Sequence, residues 1–254
     1  MVLSVKKENG FSFVEEGEGK VLLLLHGLFG ALSNWEFVLK KFSPNYKVVI
    51  PLMPIYDLPL LGANVEALAK FIHKFVEYKG YDQVTLLGNS LGGHVGLVYT
   101  LAHPEKVHSM MLTGSSGLYE EGMGGTYPKR EDYNYIKERV EYTFYDPKTA
   151  SKELVDEVYE IVNNRNKILR ILSMAKSAMR HNLRKEIPKI TIPVSLIWGK
   201  QDTITPPEVG EEFNQLLPNS ELTFIDQCGH AAMMERPEEF NVILDKFLQK
   251  VYHQ

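Results

Sequence analysis

The stretch that decides the fold is LLGNSLGGHVG, residues 86–96. An apolar run stops at GNSLG, residues 88–92, and a second apolar segment follows at once. These five residues match G-x-S-x-G, the pattern of a tight turn from strand to helix that exposes a serine hydroxyl. Larger side chains in place of the glycines would collide in such a turn. A plain loop does not explain a third glycine, Gly93, where a helix begins. The pattern predicts Ser90 as a nucleophile in a strained backbone conformation.

Strand and helix patterns alternate on both sides of this turn. Short apolar, β-rich runs are typical of strands that are covered on both faces of a sheet. Their alternation with helical patterns indicates a parallel sheet with helices on both faces. Strands are predicted at 20–27, 46–52, 83–88, 107–116, 193–199 and 220–226, with a hairpin over 3–16. Helices are predicted at 31–43, 64–80, 91–103, 210–218 and 237–251.

The alternation is interrupted once, between residues 118 and 186, where no convincing strand occurs. Helical patterns are found there at 151–164 and 167–183. We expect this segment to form a cap over the C-terminal edge of the sheet, where open α/β sheets bind ligands. The expected domains are a core of residues 1–117 and 187–254, and a helical cap of residues 118–186.

Composition narrows the function further. The chain has 254 residues and a formal net charge of −4, with acidic and basic residues interleaved, so nothing indicates a nucleic-acid partner. The lone cysteine, Cys228, excludes an internal disulfide framework. No signal-peptide pattern begins the sequence, and no apolar run is long enough for a bilayer. We therefore expect a cytoplasmic protein without a membrane partner that acts on a small molecule.

A serine nucleophile needs a base, and the base needs an acid that orients it. Asp202 follows the strand in LIWGKQDTITP, and His230 follows the next strand in FIDQCGHAAMMERPEEF. The order Ser, Asp, His is the one found around this type of turn. Asp226 is an alternative acid. Other histidines near the ends of predicted elements are His26, His94 and His103.

The segment HGLFG, residues 26–30, follows the strand at 20–27 and predicts the second half of an oxyanion hole. A glycine-rich turn lets the backbone approach a substrate closely. We assign one N–H donor to Leu28, with Phe29 as the alternative, and the other to Leu91. Phe29 and Met233 are predicted to contact the substrate. A strand-ending turn around a buried histidine would give the same residues a purely structural role.

Together LHGLFG, GNSLGG, LIWGKQD and CGHAAMMERPEEF resemble the α/β-hydrolase superfamily, most closely its small capped serine esterases and carbon–carbon bond (meta-cleavage product-type) hydrolases. The resemblance implies an α/β fold with a mostly parallel eight-stranded sheet, a cap after strand six, and Ser90, His230 and Asp202 as catalytic residues. A serine in place of an aspartate nucleophile argues against epoxide hydrolases and haloalkane dehalogenases. No metal or organic cofactor is required. The loop PLMPIYDLPLLGAN departs from the pattern of many relatives, so it leaves one wall of the pocket undefined.

The function expected from these residues is hydrolysis of carboxylic esters with small or medium acyl groups. Cleavage of a carbon–carbon bond in a vinylogous diketone is the alternative, and a ligand receptor of the same fold is a third. Arg180 and Arg184 are candidates for binding a substrate carboxylate. Tyrosines and methionines of the cap are candidates for an apolar pocket, or for helix packing. They are Tyr119, Met123, Tyr127, Tyr133, Tyr135, Tyr142, Tyr145, Met174 and Met179.

Overall fold

An eight-stranded sheet forms the centre of the computed structural model, which describes residues 4–30, 35–119 and 129–252. Its strands are β1 (Lys6–Glu8), β2 (Phe11–Glu16), β3 (Val21–Leu25), β4 (Lys47–Pro51), β5 (Val84–Asn89), β6 (Val107–Thr113), β7 (Val194–Gly199) and β8 (Ser220–Ile225). They lie in the order β1-β2-β4-β3-β5-β6-β7-β8. Strands β3 to β8 are parallel, and only the pairs β1–β2 and β2–β4 are antiparallel. The mostly parallel eight-stranded sheet is therefore confirmed.

The register of the parallel strands determines where the candidate residues can meet. Leu25 at the end of β3 pairs with Gly88 of β5, and Asn89 pairs with Thr113 at the end of β6. Gly199 at the end of β7 pairs with Ile225 at the end of β8. The loops that follow these strands leave the sheet at one edge. This edge carries HGLFG, the Ser90 turn, and the loops of Asp202 and His230.

Helices cover both faces of the sheet. The helices are α1 (Glu36–Phe42), α2 (Val65–Lys79), α3 (Leu91–Ala102), α4 (Tyr133–Glu141), α5 (Lys152–Asn163), α6 (Arg165–Arg180), α7 (Pro207–Leu216), α8 (Ala232–Glu235) and α9 (Pro237–Tyr252). Side chains of α2, α3 and α7 share one hydrophobic cluster with the sheet, and those of α1, α8 and α9 share the other. Burying a strand between two such layers explains why β5 and β7 have no exposed residue.

Helices α4, α5 and α6 lie between β6 and β7, as the predicted cap requires. Residues of α4, α5 and the start of α6 form a small hydrophobic cluster of their own, which includes Ile136, Val158 and Ile168. The second half of α6 is different, because Met174 and Ala178 belong to the cluster of the main core. The cap is thus attached to the core along α6. Among the described helices, none combines the length and the apolar character that crossing a bilayer demands.

The hairpin and most helices agree with the sequence analysis, but two helices were not predicted. Asn9 and Gly10 form the hairpin turn with φ of 47° and 82°, which suits an Asn-Gly pair. Helix α4 was missed because only two of its residues, Ile136 and Val140, are buried, so its apolar periodicity is faint. Helix α8 has only four residues. Of the predicted helix at 31–43, residues 31–34 lie outside the described part.

Candidate active site

Ser90 is at the tip of a strained turn between β5 and α3, as the G-x-S-x-G pattern predicts. Its backbone has φ 54° and ψ −121°, values that residues other than glycine rarely adopt. The Ser90 N–H donates to the Thr113 carbonyl at 3.2 Å, and the Ser90 carbonyl accepts from His94 and Ser116, both at 3.2 Å. The backbone on both sides of Ser90 is thus held by hydrogen bonds, and Ser90 lines a cavity at the sheet edge.

The glycines around Ser90 are required by close contacts. A Cβ on Gly88 would lie 2.5 Å from the Gly93 Cα, and a Cβ on Gly92 would lie 2.1 Å from the Leu25 carbonyl oxygen. Real Cβ atoms do not approach other atoms so closely. Any residue larger than glycine at either position would therefore collide with the backbone, as predicted. The lack of a side chain at Gly92 also lets helix α3 pack directly on β3.

Asp202 and His230 are in contact at the same edge of the sheet. His230 Nδ1 lies 2.9 Å from Asp202 Oδ2 and 3.1 Å from Oδ1, and both side chains are almost fully buried. The carboxylate also accepts from the Ile204 N–H at 2.8 Å, the Thr205 N–H at 3.0 Å and the Thr205 hydroxyl at 2.9 Å. Three donors besides the histidine satisfy this buried carboxyl group, whose burial without hydrogen bonds would be costly.

Two further residues hold His230 in place. Asn89, which precedes Ser90, donates its side-chain amide to the carbonyl oxygens of Thr113 at 3.1 Å and His230 at 3.3 Å. Gly114 has φ +50°, and a Cβ on it would lie 2.9 Å from His230 Nδ1 and 3.1 Å from Asp202 Oδ2. The strand that ends at Thr113 therefore turns so that its backbone lies against the acid and base.

The alternative acid and histidines take other positions. Asp226 is exposed and accepts from the Gln201 side chain at 3.0 Å. His103 stacks on His73 with ring centres 3.8 Å apart. His94 is fully buried beside His181, and burial together with the charge of His181 lowers the pKa of His94 to about 3. Neither these two histidines nor Asp226 lines the cavity beside Ser90.

His26 has a structural role in the loop HGLFG. Its Nδ1 lies 2.9 Å from the Gly27 carbonyl, and its Nε2 lies 3.1 Å from the Met53 N–H. These partners fit a neutral ring that donates from Nδ1 and accepts at Nε2. Burial lowers the pKa of His26, which favours that neutral form. The same loop brings Gly27 against the Ser90 turn, where a Cβ added to Gly27 would lie 3.4 Å from the Ser90 Cβ.

The residues predicted for the oxyanion hole lie on either side of Ser90. Leu91 is the first residue of α3, where a helix leaves its N–H groups without partners inside the helix. Leu28 follows β3 across the cavity, and its carbonyl accepts from the Tyr56 hydroxyl at 3.4 Å. Tyr56 belongs to PLMPIYDLPLLGAN. This segment contacts the loop HGLFG through Tyr56 and supplies no side chain to the cavity.

A cavity of about 1210 Å³, its open mouth included, lies between the sheet edge and the cap. Ser90, His230, Leu28 and Leu91 line its floor. Its upper wall comes from the cap helices and is largely aliphatic. The aliphatic residues there are Val140, Leu154, Val158, Ile171, Leu172, Ala175, Ala178 and Met179. Such a cavity can enclose an apolar chain beside the serine hydroxyl.

Of the two residues predicted to contact the substrate, one lines the cavity and the other does not. Phe29 lines the cavity, but Met233 is fully buried in the hydrophobic cluster below it, and its neighbour Met234 takes the lining position. Successive residues of a helix point about 100° apart, so a shift of one position decides which methionine faces the cavity.

Of the candidate tyrosines and methionines, only Met179 lines the cavity among those that the structure describes. Met174 packs in the core, and Tyr133 and Tyr135 pack against the cap cluster. Tyr119, Tyr142 and Tyr145 are largely exposed. Met123 and Tyr127 lie outside the described residues.

The two arginines that were candidates for binding a substrate carboxylate do not line the cavity. Arg184 pairs with Glu212 at 2.7 Å, and Arg180 is exposed outside the cavity. Among the described lining residues, the only arginine or lysine is Arg139 of α4. No sequence pattern indicates this residue, because the apolar periodicity of α4 is faint.

The fold has counterparts among known proteins. The family model described as alpha/beta hydrolase fold matches residues 20–140 and 157–237. An alpha/beta hydrolase enzyme from the metagenome of sediments of the Mar Chica lagoon, Morocco, has a crystal structure that superposes with a TM-score of 0.81. The two sequences are 44% identical, with 97% of this chain and 98% of that chain covered.

Two curated relatives differ in the reactions that their names give. Monoacylglycerol lipase ABHD6 of Mus musculus is 26% identical, over 93% of this chain and 78% of its own length. The 2-hydroxy-6-oxo-6-(2'-aminophenyl)hexa-2,4-dienoic acid hydrolase of Metapseudomonas resinovorans is 27% identical, over 94% of this chain and 87% of its own length. The relatives thus include a protein named as a lipase and a protein named as a hydrolase of a dienoic acid.

Proposed function

Because the chain belongs to the α/β-hydrolase fold family, we propose that it is a serine hydrolase that cleaves carboxylic esters of small or medium acyl groups. The observation that carries the proposal is the buried Asp202–His230 pair, at 2.9 Å, facing the same cavity as Ser90 on its strained turn. A nucleophile, a base and an acid that orients the base are the groups that acyl transfer through a covalent intermediate needs.

The reaction proceeds in two halves. Ser90 Oγ attacks the ester carbonyl carbon while His230 Nε2 takes its proton, and the carbonyl oxygen becomes an oxyanion. The N–H groups of Leu28 and Leu91 stabilise that charge. When the intermediate collapses, the bond to the alcohol oxygen breaks, and His230 returns its proton to the departing alcohol. Water then attacks the acyl-enzyme while His230 takes a proton from it. As the bond between the acyl carbon and Ser90 Oγ breaks, His230 returns this proton to Ser90 Oγ and the carboxylic acid is released.

Asp202 keeps the base in the right orientation during both halves. With its carboxylate on Nδ1, the imidazole presents Nε2 to the cavity and is stabilised when it becomes an imidazolium. The Ile204 N–H and the Thr205 N–H and hydroxyl all donate to this carboxylate and fix its orientation. In the proposed mechanism, Asp202 therefore orients His230 and takes no part in proton transfer.

The aliphatic upper wall supports an ester with an apolar acyl chain. Each buried methylene contributes roughly 0.8 kcal/mol to binding of the chain. The lining from α5 and α6 offers no hydrogen-bonding side chain to a polar acyl group. That one relative is named a monoacylglycerol lipase agrees with this preference. A small-molecule substrate, a cytoplasmic location and the division into core and cap stay predictions from the sequence.

Arg139 keeps a second activity open, the cleavage of a carbon–carbon bond in a vinylogous diketone acid. Such a substrate carries a carboxylate, and Arg139 is a cation in the wall of the cavity. Relatives named as hydrolases of dienoic acids support this alternative. The guanidinium lies 5.7 Å from the Tyr142 ring centre, so it is already placed against an aromatic face.

Hydrolysis of p-nitrophenyl esters from acetate to dodecanoate, by the wild type and by Ser90→Ala, tests the proposal. We expect multiple turnovers with an optimum at an intermediate chain length, and a loss of at least about 10⁴-fold in the variant. Equal rates in both proteins would contradict the role of Ser90. Cleavage of a dienone acid that falls in Arg139→Gln, with no turnover of any ester, would favour the second activity instead.

A further inference from the structure

The loops that carry Asp202 and His230 are bound to a short cap segment, residues 142–146, which follows α4. We call this segment the cap strap. The His230 N–H donates to the Thr143 carbonyl at 3.0 Å. On the other loop, the Thr203 hydroxyl donates to the Tyr142 carbonyl at 3.0 Å. The loops of the acid and the base are thus both hydrogen-bonded to the strap.

Glu235, at the end of α8, connects the strap to the histidine loop a second time. Its Oε1 accepts from the Gly229 N–H at 2.8 Å, and its Oε2 accepts from the Tyr145 N–H at 2.7 Å. One carboxylate therefore joins the residue before His230 to a residue of the cap. No other acidic side chain among the described residues accepts a hydrogen bond from the histidine loop and from the cap strap together.

The surroundings of Glu235 fit a fixed role. Burial raises the pKa of Glu235, and N–H groups of Tyr145, Gly229, Asp146 and Ala231 act in the opposite direction. The fit is close, because a Cβ on Gly229 would lie 2.8 Å from the Thr143 carbonyl oxygen and 3.0 Å from Glu235 Oε1. The strap also lines the cavity through Thr143 and Phe144. The same segment therefore touches the substrate space and the loop that carries the base.

We propose that Glu235 is a positioning residue that holds His230 at its working distance by joining the histidine loop to the cap strap. This inference rests on the proposed function, in which His230 is the base. Glu235 does not line the cavity, so it acts through His230 and not on the substrate. A misplacement of a catalytic group by about 1 Å can cost about 100-fold in rate.

The test compares Glu235→Gln with Glu238→Gln. The control makes the same chemical change at an exposed residue three positions further along the chain. Glutamine keeps the length of the side chain, but its amide nitrogen cannot accept from the Gly229 or Tyr145 N–H, so one of the two bonds is lost. With p-nitrophenyl butyrate we expect kcat to fall about 10- to 100-fold in Glu235→Gln, with KM within about 3-fold. Glu238→Gln should keep the wild-type kcat.

Making the same change in a variant that lacks the histidine separates an effect on the position of His230 from a general loss of structure. In His230→Ala, the further change Glu235→Gln should alter the residual rate by less than about 2-fold, because residues acting through one another are not additive. If Glu235→Gln does not fold by circular dichroism, Thr203→Val tests the other bond to the strap, with an expected loss of about 3- to 10-fold in kcat.

Three results would overturn the inference. The first is a wild-type kcat in a folded Glu235→Gln, or in Thr203→Val where that variant replaces it. The second is an equal loss in the His230→Ala background. The third is the absence of ester hydrolysis by the wild type, which would remove the proposed function and the inference with it. A wild type that is active and a Ser90→Ala that is inactive, combined with an unaffected Glu235→Gln, would reject the positioning role alone.

Discussion

At Gly114 the site has room for a hydrogen atom and nothing larger. The residue has φ +50°, and an added Cβ would lie 2.9 Å from both Nδ1 and the carbonyl oxygen of His230. Gly114→Ala therefore pushes the base away from Asp202. We expect kcat for ester hydrolysis to fall about 100-fold. The free energy of unfolding should fall by about 1–3 kcal/mol, because alanine is strained at this φ.

Gly62→Ala provides the control for that measurement. Its φ is not in the left-handed region, and its Cβ would meet no atom within 4 Å. Both kcat and the midpoint of urea unfolding should stay close to those of the wild type. A Gly114→Ala enzyme with wild-type kcat would show that the acid and base tolerate displacement, contrary to the packing described above.

Single residues differ in how well the sequence reveals them. Ser90, Asp202 and His230 each carry a reactive group in a recognisable pattern, and the structure brings Asp202 and His230 into contact. Gly114 and Thr205 belong to no such pattern. They contact both Asp202 and His230 only because of the order in which β6, β7 and β8 lie in the sheet, and the sequence does not give that order. Whether Met233 or Met234 faces the cavity depends on the rotation of a four-residue helix, which sequence alone does not fix.

Helix α6 lines the part of the cavity in which we propose that the acyl chain binds. Ala175 lines the cavity from this helix, and Ala175→Phe would fill part of the space above Ser90. Displacing two methylenes of a bound chain costs about 1.6 kcal/mol, so we expect the ratio of kcat/KM for octanoate over butyrate to fall about 10-fold or more. Ala102→Phe, at the exposed end of α3, is the control. An unchanged ratio in Ala175→Phe would mean that the acyl chain lies elsewhere.

A charge cluster joins β2 to the end of α2 and predicts how stability depends on pH. Glu15 pairs with Lys79 at 2.8 Å and accepts from the Tyr81 hydroxyl at 2.7 Å. Burial raises the pKa of Glu15, but the bonds from Lys79, Tyr81 and Lys6 outweigh it and lower that pKa to about 2. A folded-state pKa below the unfolded one stabilises the protein above the unfolded pKa, and this gain is lost as the pH falls toward 2.

Glu15→Gln should therefore lower the free energy of unfolding at pH 7 by about 1 kcal/mol, a value reduced for the partial exposure of the pair. The difference from the wild type should shrink between about pH 5 and pH 2. Urea unfolding at several pH values measures it, with Glu18→Gln, on the exposed turn after β2, as the control. A difference that does not depend on pH would show that the ion pairs are not its source.

Elements were predicted where their apolar pattern is strong. Helix α5 buries Val155, Val158, Ile161 and Val162 on one face, so the sequence reveals it clearly. Helix α4 begins at an Asp132 cap that accepts from the Asn134 N–H at 3.0 Å, a signal too local to predict nine helical residues. The aliphatic lining could not be predicted either, because it depends on how α4, α5 and α6 pack together.

On the scale of the whole molecule, the parallel sheet assembles the site. Residues 90, 202 and 230 are far apart in the sequence, but each follows a strand that ends at the same edge. The cap closes over that edge and is bound on two sides, through α6 to the core and through the cap strap to the loops of the acid and the base. We propose that ester hydrolysis takes place in the cavity between the cap and this edge.

The most direct test of this account is covalent labelling by an alkyl phosphonofluoridate, followed by peptide mapping with mass spectrometry. Attack by Ser90 Oγ forms a bond to phosphorus and expels fluoride, while His230 takes the hydroxyl proton. We predict one phosphonyl adduct per chain, located on Ser90, and at least about 100-fold slower labelling in His230→Ala. An adduct on another residue, or none in the folded wild type, would contradict the claim that Ser90 is the nucleophile of a serine hydrolase.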